Sequence, residues 1–462
     1  TFGDGSQLGV LISDVPAEST FIESPGAITF AAGSRIVPLV PEGLPASGTQ
    51  VFLTANGGLI GANNVTGPIS GIGTPFVYNL SIDVAAGDPN SLEANFILKS
   101  AAELGLNQSQ TAGYAAIIDA LRRDNVVGDA FADLDTEFEF FDAYEDLMPS
   151  YSSAATELAA TAIQQMQSAT TNRLATTRLN ESNQVSIWAQ EIAYGLNREP
   201  PTANGLEFRG QGFGLAAGID GPLNNGALFG LSASFLASEA EEPGRPEGEI
   251  STWFVQGNAY LGTAVGPFDL DFVGGVGGGK MTSRRFVEVG TFEALSEADW
   301  LALEAHGAAR VSMPLALTDW FVVTPQAAVT YVGISEQGYT EEGGGAAIDY
   351  EVDDAFTQRL WGDVGVEFSA RWTMRGGGQI APRIFAGYRT NLIDEEAERT
   401  VRFVSGGPDF TVIDESVGEG GPLLGIGIDA TNGYSTLSIG YEGEFGDQIE
   451  RHSLNAALRF RF

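Results

Sequence analysis

The chain has 462 residues, 60 acidic against 23 basic, a net charge of −37 and no cysteine. So acidic a chain offers little basic surface to displace phosphate counterions, which excludes most nucleic-acid binding. The missing thiols exclude disulfides, thiolate metal sites and cysteine nucleophiles, and His306 and His452 are too few for a multi-histidine metal centre.

No catalytic residue, metal site or cofactor is therefore expected. The apolar content, 43% hydrophobic and 10% aromatic, speaks against disorder. The chain opens on Thr1 without a basic-then-apolar leader, which reads as a processed form or a fragment. No apolar run reaches the roughly 18 residues of a transmembrane helix, so a membrane protein here would have to cross with strands.

Residues 1–98 carry short apolar runs, such as Leu8–Ile12, Ile36–Val40 and Phe76–Ile82, separated by turn residues such as Ser24-Pro25-Gly26 and Asn56-Gly57-Gly58. They read as β-strands, in a solenoid or a small irregular β-domain, without a clean repeat. Residues 99–149 change period. Ala115, Ile118, Leu121 and Arg122, then Phe131, Leu134, Phe138, Phe141 and Tyr144, fall on helical stripes.

Residues 150–183 follow as a linker. Within it, Tyr151–Arg178 holds many small residues, few charges and neither Pro nor Gly. A helix of that length spans roughly 42 Å, more than the roughly 30 Å of a bilayer's hydrocarbon core. It is too polar for a protein core and suits either a solvated linker or a narrow polar tube.

Residues 184–462 decide the fold class. Leu454, Ala456, Leu458, Phe460 and Phe462 alternate with Asn455, Ala457, Arg459 and Arg461, and the same two-residue period recurs in Leu360–Trp372 and Leu437–Glu444. Twelve such segments lie at about 185–197, 209–220, 226–238, 250–264, 267–283, 299–313, 320–334, 356–373, 379–391, 422–431, 434–445 and 450–462. Their connections alternate between tight turns and mostly long polar loops (198–208, 239–249, 284–298, 335–355, 392–421). That sorting marks a 12-stranded antiparallel transmembrane β-barrel.

Glu304, Arg310, Asp363, Glu367, Arg371, Arg383, Glu442, Arg459 and Arg461 are expected to face the lumen. All six Trp fall in this region, as an interfacial aromatic girdle would place them. Gly274-Gly275 and Gly277-Gly278-Gly279 are expected to bend a strand or to leave room for an inserted backbone. The acidic loops 336–354 and 239–249 read as a solvated rim, with divalent-cation binding as the other reading.

Three features together resemble the translocator end of a classical autotransporter. Residues about 96–148, "FILKSAAELGLNQSQTAGYAAIIDAL…DAFADLDTEFEFFDAYEDLMPS", are similar to the helical junction before the barrel in many alphaproteobacterial members. "TTNRLATTRL" (170–179) is similar to the helix that enters the barrel, and the chain ends on Phe462 with apolar residues at alternate positions. The resemblance implies a mostly β fold: a barrel plugged by one α-helix, preceded by the junction and by a solenoid-like passenger end in 1–98.

It also implies a bacterial outer-membrane location, with the N-terminal region at the extracellular surface and the passenger exported by its own barrel. The partners implied are outer-membrane lipid and lipopolysaccharide, the barrel-assembly machinery reading Leu458, Phe460 and Phe462, and the chain's own passenger. Some members cut their passenger loose at an asparagine inside the barrel. Asn180 is the candidate here, with Asn172 and Asn183 nearby, although the paired asparagines of those members are missing. Gly3-Asp4-Gly5-Ser6 only faintly resembles the serine block of autotransporter esterases, and no histidine precedes His306. The competing function is a porin-like channel or a structural barrel, and the two are distinguished by whether the helix occupies the lumen.

Overall fold

The computed structural model describes residues 1–12, 21–39, 43–69, 74–149, 152–177, 184–199, 207–224, 226–242, 245–375, 377–394, 398–413 and 418–462. Near the N-terminus, parallel ladders pair Gln7 with Arg35, Ile22 with Leu53 and Ile28 with Leu59. Equivalent positions thus return after about 30 residues, the signature of solenoid coils. Strand Gly48–Ala55 then pairs antiparallel with Ser91–Leu98, which pairs with Tyr78–Val84 and through it with Gly67–Ile69. Parallel coils thus give way to an antiparallel sheet.

Four helices follow: α1 (Ala101–Leu104), α2 (Gln108–Leu121), α3 (Asn125–Ala132) and α4 (Glu137–Leu147). Three of them start at a capping box, in which a side chain accepts the third amide of the helix and the third side chain answers the cap amide. The pairs are Ser100 with Glu103, Asn107 with Gln110 and Thr136 with Glu139. Asp124 caps α3 by accepting from Val126 and Val127. Ile118, Leu121, Phe131, Leu134 and Tyr144 of the expected stripes are buried, but Ala115 is exposed beside buried Ile117, and Phe138 is 80% exposed while Phe140 takes the core position.

Helix α5 (Ser152–Thr177) leads to twelve barrel strands. These are β1 (Ser186–Arg198), β2 (Phe208–Pro222), β3 (Leu228–Glu242), β4 (Arg245–Val265), β5 (Phe268–Val289), β6 (Phe292–Ser312), β7 (Phe321–Glu336), β8 (Ala355–Ala370), β9 (Gln379–Asp394), β10 (Gly420–Thr431), β11 (Ser435–Phe445) and β12 (Ile449–Arg461). Every neighbour pairs antiparallel, β6 with β7 included, and β1 closes on β12 from Ser186–Arg461 to Arg198–Ile449. Closure leaves no open edge, which is what a lipid environment demands of every backbone amide and carbonyl. Outward positions carry Ile187, Leu215, Leu231, Leu301, Leu303, Ile426, Ile439 and Leu454, all exposed. Leu458, Phe460 and Phe462 also point outward.

Two expected loops are strand. Polar 284–298 continues β5 and β6 to a turn at Gly290-Thr291, where Gly290 has φ 58°. Charges such as Arg284 and Glu297, paired across the strands at 2.9 Å, look like loop residues in one dimension. Their alternate neighbours Val287 and Val289 are fully buried. Likewise, 239–249 is strand up to Glu242 and from Arg245.

The aromatic girdle needs a larger correction. Trp253, Trp320 and Trp372 point outward, but Trp188, Trp300 and Trp361 are buried inside the barrel. There Trp188 donates to Tyr260 Oη at 2.8 Å, Trp300 donates to Glu336 at 2.9 Å, and the Arg389 guanidinium sits over the Trp361 ring.

Candidate functional site

Helix α5 stands inside the barrel. Ala154, Ala155, Ala159, Ala160, Ala162 and Ala169 are at most 1% exposed. This run of methyl side chains lets a helix fit where Leu and Phe would not. It leans on β2–β5 and leaves a cavity of about 200 Å³ against the opposite wall, lined by Gln164, Gln167, Asn172, Arg383 and Glu442 among others.

The helix carries one acid and one base, Glu157 and Arg173, about 24 Å apart along the axis at 1.5 Å per residue. Each is answered by the wall. Glu157 is ion-paired with Arg359 of β8 and Arg451 of β12. Arg451 also pairs with Glu444 of β11 at 2.9 Å, Glu444 with Arg389 of β9 at 2.9 Å, and Arg389 with Asp363 of β8 at 2.8 Å. Opposite charges alternate along this chain, which is how buried ions offset their lost hydration. At the other end, Arg173 makes a two-pronged pair with Asp220 at 2.5 and 2.7 Å, and Asp220 also accepts from Tyr260 at 3.0 Å.

Further contacts hold the turn just above Arg173. Thr170 bonds Ser232 at 3.1 Å, and Asn172 donates to Glu442 at 3.0 Å. Arg310 of β6 reaches both Asp271 of β5, at 2.6 Å, and the Thr171 carbonyl, at 3.4 Å.

The glycines of β5 have a different use from the expected inserted backbone. Gly275 and Gly277 face the lumen between β4 and β6, and a Cβ at Gly277 would overlap Glu304 Oε1. Side chains of the flanking strands fold over this bare strip. His306 lies 2.8 Å from Glu304 and 2.6 Å from Asn258.

At the end of the barrel bearing the long loops, Thr156 donates to Glu336 at 3.0 Å. Glu336 accepts from Arg399 at 2.8 Å. Arg399 belongs to a strand, Glu398–Phe403, in a four-stranded sheet with Tyr339–Thr340, Tyr350–Val352 and Phe410–Ile413. Both loops that build this sheet cover the lumen mouth and carry the junction helices. Ser109 exchanges bonds with Ile413 at 3.3 Å, and Arg285 donates to the Asp146 carbonyl at 2.9 Å. Tyr350 donates to the Leu147 carbonyl. Burial pushes the Tyr144 and Tyr350 phenols up, so both remain neutral donors.

The acidic segment 336–354 is only partly a solvated rim: Glu342, Asp353 and Asp354 are exposed. Glu336, Glu341 and Asp349 are buried, held by Arg399, by Arg285 and by Ser296 with two glycine amides.

Of the expected lumen residues, Glu304, Arg310, Asp363, Glu367, Arg383, Glu442 and Arg459 line the interior. Arg371 does not, being exposed beyond the end of β8. Arg461 shares the inward parity of Arg459, between the exposed Phe460 and Phe462, and donates at the turn end to the Gly433 carbonyl at 3.2 Å. Asn180 and Asn183 lie outside the described residues.

The alternation rule had no access to Glu157 and Arg173, since it applies to strands only. One lone acid and one lone base on a slim polar helix are nevertheless a readable signal.

A lumen filled by a helix that is ion-paired to its wall disfavours an open, porin-like channel. The autotransporter beta-domain family model matches residues 187–444. The chain belongs to the autotransporter family.

Its fold is similar to that of the translocator domain of autotransporter NalP from Neisseria meningitidis, at 14% identity and a TM-score of 0.52, over 68% of this chain and 100% of that one. The beta domain of the Bordetella autotransporter BrkA (20% identity, TM-score 0.44, 60% and 99% covered) and the transport unit of AIDA-I from Escherichia coli (13%, 0.41, 64% and 98%) are also similar. No curated protein matches the chain. As an autotransporter, it is an outer-membrane translocator that exports a passenger, and its barrel is a transport domain, not an enzyme.

Proposed function

We propose that residues 1–98 are the passenger end this translocator has exported and now holds at the cell surface, with the long loops outward and the tight turns in the periplasm. The observation that carries this reading is the path of the chain. It leaves the junction at the loop end, descends the lumen as α5 with Glu157 near the loops and Arg173 near the turns, and enters β1 beside Asp220. A polypeptide threaded this way has one end on each side of the barrel it built.

The barrel is held in outer-membrane lipid by its apolar outer face. Leu458, Phe460 and Phe462 form the strip that the assembly machinery reads. Acidic positions of 336–354 that stay exposed, such as Glu342 and Asp354, are where divalent cations would meet lipopolysaccharide. Within residues 1–98 the chain has no histidine for a serine–histidine site, so enzymatic work is not assigned to this part.

The absence of cysteine makes the orientation test clean. Asn56→Cys in the solenoid and Tyr434→Cys in a turn, each as a single variant, are exposed to a membrane-impermeant maleimide on intact cells. Labelling of the first alone is expected, and labelling of the second alone would overturn the reading.

A further inference from the structure

Arg459 of β12 is 5% exposed, yet its Nε and Nη1 have no hydrogen-bond partner among the described residues. A guanidinium stripped of water and given no acceptor is costly, and such a group calls for an ion or water that the protein atoms do not supply. It lines a small cavity near the turn end together with Arg173, Arg383, Asn172, Gln190 and Asn455.

Among the described residues, three arginines border this space and no carboxylate does. Arg173 is already paired with Asp220, which lies outside the lining. Asp429 is bonded to Ser438 and also stays outside it. The volume is about 20 Å³, against the roughly 10–15 Å³ that one water needs. A single small occupant fits.

We propose that this cavity binds one chloride-sized anion, held chiefly by Arg459 and Arg383. Water fits by size but brings no negative charge to the Arg459 guanidinium, whose Nε and Nη1 lack a direct acceptor among the described residues. Two of the lining residues, Asn172 and Arg173, belong to α5. The site is complete only when the helix is seated, so an anion bound here stabilises the plugged barrel by linkage. This goes beyond the export reading and does not depend on it.

The test uses the full chain in detergent micelles. Its unfolding midpoint is followed by the gel shift of the folded barrel, in sodium chloride, sodium bromide and sodium gluconate at equal ionic strength. Chloride and bromide are expected to raise the midpoint saturably by about 2–4 °C over gluconate. Arg459→Gln is expected to remove that increment.

Ala457→Leu fills the same cavity while leaving every arginine in place, and it should remove the increment too. It serves as the second variant if Arg459→Gln does not fold. Crystals grown in bromide should show an anomalous peak between Arg459 and Arg383. Equal midpoints for the wild type in all three salts would overturn the proposal, as would an increment that survives Ala457→Leu.

Discussion

Glu157 on the lumenal helix is ion-paired with Arg451 on the last strand, 294 residues further along the chain. Its second partner, Arg359, comes from β8. The acid is satisfied only once both distant strands stand in the wall, so seating of the helix depends on completion of the barrel.

Replacing Glu157 by Gln leaves two buried arginines without their shared counter-charge. Breaking a buried pair this way costs about 3–5 kcal/mol. The folded barrel should unfold at lower denaturant, and planar-bilayer recordings should show larger or more frequent openings as the helix loosens. A variant with wild-type midpoint and conductance would remove Glu157 from the role of lock.

Much of the barrel was legible because a strand exposed to lipid on one face and to a polar lumen on the other must alternate. Residues Leu454 to Phe462 show this as plainly in sequence as in space. Alternation does not say what an inward side chain meets. The position of Trp188, Trp300 and Trp361 near strand ends points to the interfacial girdle, where aromatics usually gather, but each has a polar or cationic partner inside. The loop sheet was invisible for a related reason. Glu336, Glu341 and Asp349 look like solvated charges until Arg399 and Arg285, far away in sequence, are brought beside them. Charge compensation is a tertiary fact, and one-dimensional charge runs do not carry it.

Arg285 offers a way to separate junction from barrel. It donates to Asp146 and Ile348 carbonyls at 2.9 and 2.8 Å, pairs with Glu341 at 2.6 Å and lies over the Tyr350 ring. Arg285→Met should strand the buried Glu341 and weaken docking by about 3–5 kcal/mol. Proteases should then cut within 99–149 while the barrel keeps its gel shift. Loss of both together would mean that the junction and the barrel fold as one unit.

Acid should fray the start of α1 before it disturbs the barrel. The Ser100 amide and hydroxyl hold the Glu103 carboxyl below its ordinary 4.5. A carboxyl depressed in the folded state contributes stability that is complete above its unfolded value and lost as pH falls through the folded one. Amide exchange at Glu103 and Leu104 is expected to quicken below about pH 4.5 relative to α2, whose Asn107–Gln110 capping box carries no charge. Parallel behaviour of the two helices from pH 6 to 3 would count against it.

The Arg173–Asp220 pair lends itself to a double-mutant cycle. Arg173→Met leaves Asp220 buried with only Tyr260 donating to it among the described residues, and Asp220→Asn takes the two-pronged carboxylate away from the Arg173 guanidinium at the foot of the helix. Each single change strands a charge, whereas the pair of changes strands none. The double variant should therefore be less destabilised than the two singles added together, by about 1–3 kcal/mol. Chemical unfolding of all four proteins under one detergent condition measures this directly. Additivity within about 0.5 kcal/mol would show that the wall and the helix do not feel each other at this end.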